Sequence, residues 1–498
     1  MSGAQKRARA LMLQGVGSDV GKSLLTAAFC RLARRRGLSV APFKPQNMSN
    51  NAAACPGGGE IGRAQALQAQ AAGAPPEPDM NPILLKPETD RSAQLVVQGR
   101  ARGAMAAQAF GSNRGPLLDA VMESFERLAA GRDLVLVEGA GSPAEINLRA
   151  HDIANMGFAR RAGTPVVLIG DIDKGGVIAS LVGTQAVLDP NDAAMIRGFL
   201  VNKFRGDPSL FEGGVAAIER RTGWPRLGVV PWLRAASLLP AEDAVALEAP
   251  RRAGRGAVKI AAPMLSRMAN FDDADPLRLE PGVAFEWTPP GRPLPRDADV
   301  IILFGSKSTI GDLAFLRAQG WDHDIIAHAR AGGRVLGICG GFQMLGARIL
   351  DPRGADGAAG AVEGLGLLAV ETVMAAEKRV APVSARCAVS GAPITGYEIH
   401  LGRTVGAGAG APFAWIGDAP DGARSADGRI EGTYLHGAFG GDAFRRIWLG
   451  RIGAKPAADF SYNAAVEMAL DALADGVAAA VDVDAFLALA EPPGWAPR

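Results

Sequence analysis

The sequence predicts an α/β protein of two tandem domains, a phosphate-loop domain built on a parallel sheet and then a second α/β domain. Three observations carry this. Short, fully apolar runs alternate with helical patterns along most of the chain, as in parallel sheets covered on both faces. Gly-Lys-Ser follows the first such run and opens the first helical pattern. At 498 residues the chain is too long for one ordinary core.

The elements follow in order. Residues 10–14 read as a strand, and residues 21–36 as a helix that stops at Gly37. Residues 39–44 form a second strand and residues 60–72 a second helix. Apolar runs at 134–138, 166–170 and 198–201 each enter polar or glycine residues, as strand ends do where such sheets bind ligands. Residues 239–257 break the pattern with Pro, Gly, Ala and charges, so the first domain spans 1–240 and a linker 241–257. A second series of strands and helices begins at 258–262 and continues through 299–304, 334–338 and 366–373, giving a second domain at 258–441. Residues 442–498 are an Ala-rich helical extension expected to pack against that second domain.

Composition excludes several classes. The net charge is +2, and its basic residues are scattered, as in Arg34-Arg35-Arg36 and Arg251-Arg252. These read as solvated surface charge, without the continuous stripe a nucleic-acid binder needs. The basic start of the chain precedes an apolar run too short for a signal peptide, and no stretch approaches the ~20 apolar residues of a membrane span. Four cysteines without paired spacing argue against a disulfide framework or a zinc site. The expectation is a cytoplasmic protein whose partners are small molecules, not nucleic acid or membrane.

Residues Gly15, Val16, Gly17, Ser18, Asp19, Val20, Gly21, Lys22 and Ser23 join the first strand to the first helix. Glycines let backbone N–H groups crowd around phosphate oxygens, and the helix amino terminus adds positive potential. Lys22 can then reach the β- and γ-phosphates, and the Ser23 hydroxyl can ligate Mg²⁺. Five residues separate Gly15 from Gly21 instead of the usual four. This longer loop, with Phe43-Lys44-Pro45 and Val137-Glu138-Gly139-Ala140-Gly141, resembles the dethiobiotin synthetase family. The resemblance implies that Lys44 steadies the substrate carboxylate and the transferred phosphoryl group, and that Glu138 ligates Mg²⁺. That family's third Mg²⁺ ligand has no clean match, and Glu60 is the nearest carboxylate. In related nucleotide-binding proteins an Asn-Lys at a strand end contacts the base, which makes Asn202 the candidate for adenine. The loop from Gly170 to Gly176 suits a ligand-facing turn.

In the second domain, Gly337-Ile338-Cys339-Gly340-Gly341 carries a cysteine from an apolar run into a helix. Gly-x-Cys-x-Gly is the thiol counterpart of the nucleophile elbow, and the helix amino terminus favours thiolate. Cys30, Cys55 and Cys387 fall in a helix, a loop and a strand and are expected to be inert. A thiol nucleophile needs a base, and His436 in Thr433-Tyr434-Leu435-His436-Gly437 follows a late strand of the same domain. The arrangement resembles triad-type (class I) glutamine amidotransferases, which implies an oxyanion hole at Gly340 and the Gly305 loop. Many such enzymes place Glu two residues after the histidine, but Ala438 stands there, so the third member stays open. His400 is a candidate for shaping the glutamine pocket. His151, His323 and His328 carry no assignment.

A phosphate loop joined to a glutaminase-like domain points to one chemistry. Ammonia does not displace a carboxylate oxygen unless the carboxylate is first activated, and ATP can turn it into an acyl phosphate. Over nearly the whole chain the sequence resembles the cobyric acid synthase family. The strings that carry this are Lys44 to Asn51, Gly59 to Gln65, Asn81 to Pro87, Gly170 to Gly176, Asn202 to Asp207, Asn270-Phe271-Asp272-Asp273 and Tyr397 to Gly402. That resemblance implies ATP- and glutamine-dependent amidation of four carboxylates (b, d, e and g) of adenosylcobyrinic acid a,c-diamide, with cobalt present only in the substrate. It also makes Asn47 and Asn50 candidates for facing the corrin. The alternatives are cobyrinic acid a,c-diamide synthase, a partitioning-type ATPase that makes no amide, and a catalytically dead metabolite sensor.

Overall fold

The computed structural model describes residues 7–89, 91–106, 114–242, 258–356 and 359–494. The apolar runs of the first half form one six-stranded sheet in the order Arg226–Pro231, Ile196–Phe204, Val166–Asp171, Arg9–Gly15, Leu134–Glu138, Val40–Phe43. Every pairing is parallel. Strands buried on both faces must be apolar throughout, and Leu134–Glu138 is buried at all five positions. The helix Lys22–Arg35 lies between its phosphate loop and Arg36. The expected helix over 60–72 is shorter, since Glu60–Gly62 pairs with Ala52–Ala54 and the helix starts at Arg63.

An outlying four-stranded sheet, Gln46–Met48, Ile83–Pro87, Ser92–Val97 and Arg100–Ala106, leaves the main sheet beside Phe43. Its two faces look into different cavities.

The second domain has its own sheet, ordered Val283–Thr288, Val258–Pro263, Val300–Leu303, Arg334–Ile338, Ile430–Thr433, Ala423–Arg424. A long hairpin, Glu371–Cys387 with Pro393–Val405, forms the middle of a separate seven-stranded sheet of the same domain. The strand expected at 366–373 begins only at Glu371. Most of the linker at 241–257 lies outside the described residues, while Ala241 and Glu242 are described and dock on the first domain.

The carboxyl-terminal segment departs from expectation. Helix Asp442–Arg451 completes the second core through Phe444, Trp448 and Leu449. Helices Tyr462–Ala478 and Val483–Ala488 instead cross back to the first domain, where Val466, Leu470, Leu473 and Val477 meet Leu25, Phe29 and Leu32. Phe29 stacks on Phe486 with centroids 3.7 Å apart. The cause is the parallel sheet's need for cover on its second face. Nor is the Arg34–Arg36 cluster only solvated charge, because Arg35 pairs with Asp475 at 2.5 Å and Arg36 with Asp484 at 2.6 Å on those helices. Among the described residues no helix is long and apolar enough to cross a membrane.

Candidate functional site

The phosphate loop closes over its own lysine. Gly21 adopts φ 93°, and a Cβ there would lie 2.3 Å from the Asn202 amide nitrogen, so only glycine fits. Lys22 Nζ donates to the Gly17 carbonyl at 2.8 Å and the Gly141 carbonyl at 3.1 Å. Burial, aided by Lys44, lowers the Lys22 ammonium to about 8 against the pull of Glu138, Glu242 and Asp19. Asn202 braces the loop by donating to the Val20 carbonyl at 2.8 Å, and Lys203 ties Asp171 in at 2.8 Å.

Beside the lysine, oxygen donors converge. Ser23 Oγ lies 2.7 Å from Glu138 Oε1 and 2.6 Å from Glu242 Oε2. Lys44 Nζ bridges the same two carboxylates at 2.8 and 3.0 Å. Burial works against the Lys44 charge, but Glu138 and Glu242 override it and hold the ammonium above the ordinary lysine value. Gln68 donates to Glu138 Oε2 at 2.6 Å, fixing the carboxylate that ends the strand. A hydroxyl and two carboxylates next to a phosphate loop fit Mg²⁺, which takes few protein oxygens and completes its shell with phosphate and water. Among the described residues no three His, Cys, Asp or Glu side chains form a dedicated metal cluster.

Glu60 is a correction. Its carboxylate is fully buried between Lys86 Nζ at 3.0 Å and Lys378, so both oxygens are committed to ammonium groups. Burial opposes its ionisation, yet Lys378 and Lys86 hold the carboxyl down at about 2. Glu242 takes the place beside Ser23, from a segment read as linker.

Next to this site lies a cavity of about 440 Å³. Ala140, Gly141 and Ser142 line it, and the Gly141 carbonyl also holds Lys22, so the cavity and the phosphate loop share a wall. Gln46 and Met48 face it, whereas Asn47 and Asn50 do not line it. Asn47 is buried and donates to Gln65 Oε1 at 2.9 Å. Successive side chains on a strand point to opposite faces, so the two residues flanking Asn47 face the cavity while Asn47 faces away from it.

In the second domain Cys339 sits at φ 53° and ψ −110°, a strained turn between strand Arg334–Ile338 and helix Gly340–Leu345. The turn is possible because Gly341 passes against the Leu303 carbonyl, where a Cβ would meet oxygen at 2.0 Å. His436 Nδ1 lies 2.7 Å from Asp273 Oδ2, and the imidazole lines one small cavity with Cys339. Burial lowers the imidazole, but Asp273 and Cys339 outweigh it and raise it to about 10. A Cβ on Gly340 would lie 2.8 Å from the Ser306 N, and Gly305 lines the same small cavity as Cys339. His400 also lines it, stacked on Tyr434 with centroids 3.9 Å apart. Cys30, Cys55 and Cys387 are buried and unpaired, and burial pushes the Cys55 thiol up to about 12.

Asp273 and Glu242 were missed by sequence reasoning. Asp273 stands in the string Asn270-Phe271-Asp272-Asp273, a visible signal for the region but silent about which histidine it would meet. Its neighbour Asp272 pairs with Arg63 of the first domain at 2.9 Å, and Asn270 donates to the Ala52 carbonyl at 3.0 Å. The glutaminase-like site is therefore buttressed by the other domain.

Comparison with known proteins agrees with this division. Residues 11–246 match the CobQ/CobB/MinD/ParA nucleotide binding domain, and residues 259–444 the CobB/CobQ-like glutamine amidotransferase domain. The chain is 66% identical to the cobyric acid synthase of Hyphomonas neptunium over 98% of its own length and 99% of the relative's. It is 63% identical to that of Paracoccus denitrificans over 97% and 99%. For the Brucella suis protein of the same name the values are 59%, 97% and 100%.

Proposed function

The chain belongs to the cobyric acid synthase family, and we propose that it amidates the b, d, e and g carboxylates of adenosylcobyrinic acid a,c-diamide, yielding adenosylcobyric acid. ATP activates each carboxylate and glutamine supplies each nitrogen. The observation that carries this reading is the wall shared by the phosphate loop and the 440 Å³ cavity, through the segment holding Gly141. Met48, Met105 and Leu148 beside Gln46, Arg91 and Asn155 suit a large, flat, mostly apolar ring with polar arms. Met48 and Leu148 are 61% and 57% exposed, apolar surface awaiting cover.

In this mechanism the loop N–H groups and Lys22 hold the β- and γ-phosphates, and Asn202 keeps the loop in shape beside the adenine. Ser23, Glu138 and Glu242 would hold Mg²⁺, which when bound offsets charge on the phosphates. Lys44 steadies the corrinoid carboxylate while its oxygen attacks the γ-phosphorus, releasing ADP and leaving an acyl phosphate. Ammonia attacks the acyl carbon and phosphate departs. In the second domain Cys339 Sγ attacks the glutamine carboxamide carbon, and His436 takes the thiol proton and returns it to the departing ammonia. Asp273 holds the imidazole in orientation, and the N–H groups at Gly340 and the Gly305 loop receive the oxyanion. Water then cleaves the thioester to glutamate. The need for ATP and glutamine as co-substrates supports a cytoplasmic location.

The test is a mass-resolved chromatographic time course with adenosylcobyrinic acid a,c-diamide, Mg²⁺-ATP and glutamine. Stepwise appearance of four amidated products, each dependent on ATP, is expected. An unchanged corrinoid alongside active hydrolysis of ATP or glutamine would overturn the substrate assignment and direct attention to the less amidated corrinoid.

A further inference from the structure

The cavity beside Cys339, about 50 Å³, holds more positive charge than thiol chemistry requires. Lys86, Lys307 and Lys378 line it, and Asp356 is its only carboxylate among the described residues. Asp356 is already occupied, accepting from the N–H groups of Thr309 and Ile310 at 3.1 and 2.7 Å. Lys307 has its own partner, Glu88, at 2.6 Å. Lys86 and Lys378 share one carboxylate, Glu60, and their side chains are only 3% and 9% exposed. One ammonium is therefore buried beyond what Glu60 can balance, which is costly without a further anion. Burial lowers the Lys378 ammonium to about 7, with Glu60 opposing and Lys86 reinforcing the drop.

The cations also come from different domains. Lys86 and Gln94 stand on strands Ile83–Pro87 and Ser92–Val97 of the first domain, and Lys378 reaches Gln94 Oε1 at 3.2 Å. On the same two strands Leu85, Pro87 and Ala93, each next to Lys86 or Gln94 in sequence and so on the opposite face, line the 440 Å³ cavity. This small sheet is the partition between the two cavities, its alternating side chains serving one on each face.

We propose that Lys378 and Lys86 seat the α-carboxylate of glutamine at the domain seam, so that the first domain completes the glutamine pocket of the second. This rests on the glutaminase role assigned to Cys339. Of the groups glutamine brings to that cavity, only its α-carboxylate is an anion, and it supplies the counter-ion the lysine pair lacks. Seating glutamine against the partition also sets it back to back with the corrinoid cavity.

The experiment uses the full-length enzyme with Mg²⁺-ATP and corrinoid, comparing ammonia release from L-glutamine and from 4-aminobutanamide, which lacks the α-carboxylate. Wild-type enzyme should show a KM for 4-aminobutanamide roughly 10- to 100-fold above that for glutamine, the scale of a lost charged hydrogen bond. Lys378→Met should raise the glutamine KM by a similar factor, leave the 4-aminobutanamide KM nearly unchanged, and preserve ammonia-driven synthesis. Lys378→Arg should restore much of the glutamine affinity. Equal KM values for the two amides in wild-type enzyme, a measurement that needs no variant to fold, would overturn the proposal. So would an unchanged glutamine KM in Lys378→Met, or equal losses for both amides. Wild-type enzyme that uses ammonia but releases none from glutamine would overturn this proposal together with the glutaminase role beneath it.

Discussion

Asp273 Oδ2 lies 2.7 Å from His436 Nδ1 although 163 residues separate them, and both side chains are 2% exposed. The position two residues beyond the histidine, where many triad amidotransferases carry Glu, is the buried Ala438. The carboxylate that orients the imidazole comes instead from the short helical turn Phe271–Ala274, which also accepts the Gly437 N–H at 2.6 Å. Asp273→Asn keeps the shape but offers the wrong hydrogen-bonding group. It should lower glutamine-dependent kcat by about 10²- to 10⁴-fold and spare synthesis from added ammonia. Steady-state assays with the two nitrogen donors decide this, and equal losses with both would refute it.

The same pair has a pH signature. Burial lowers the imidazole, but Asp273 and Cys339 raise it from 6.5 to about 10. A group raised on folding adds stability that is whole below the unfolded value and is lost as pH climbs through the folded one. The melting temperature of wild-type protein should therefore exceed that of Asp273→Asn most at pH 6.5 and below, and the gap should narrow toward pH 10. Parallel thermal melts across that window test the sign.

Cys339→Ser should abolish turnover with glutamine and leave amidation with ammonia, because the thiol acts only in releasing nitrogen. Rates with each donor, measured on the same preparation, are the readout. Loss with ammonia as well would show that the two domains do not divide the work as described.

Glu242 shares Ser23 with Glu138, so Glu242→Gln removes one of two carboxylates beside the phosphates. Half-saturating Mg²⁺ for binding a non-hydrolysable ATP analogue should rise roughly 10-fold, in line with losing one oxygen anion from a metal shell. Calorimetric titration at several Mg²⁺ concentrations would show it. Tighter nucleotide binding in the variant would mean that Glu242 competes with the phosphates instead of helping to hold the ion.

Arg63 crosses the domain boundary to Asp272 at 2.9 Å, and Asp272 is 3% exposed. Arg63→Met leaves that carboxylate buried without its partner. Because Arg63 is itself 24% exposed, the expected destabilisation is roughly 2–4 kcal/mol, below the range for a fully buried pair. Denaturant melts give that figure. Glutamine-dependent turnover should fall further than ammonia-dependent turnover, because Asp272 adjoins the residue that orients His436.

Much of this protein was legible in its sequence because the informative patterns are local. A glycine-rich turn between an apolar strand and a helix forms within nine residues, so the phosphate loop with Lys22 and Ser23 needed no tertiary knowledge. The same holds for the strained elbow of Cys339, set by the glycines around it, and for Glu138 at the end of a buried strand. Other features depend on which distant segments meet, and spacing along the chain carries no record of that. Asp273 finds His436, Glu242 returns to Ser23, and Glu60 spends its charge on Lys86 and Lys378 instead of a metal. Asn47 turns inward because strand alternation offers Gln46 and Met48 to the cavity, a choice that hinges on one residue of register. The carboxyl-terminal helices show the same limit. Their apolar faces are plain in the sequence, but a hydrophobic stripe is not directional, and the open face of the first sheet, not proximity along the chain, decided where they pack.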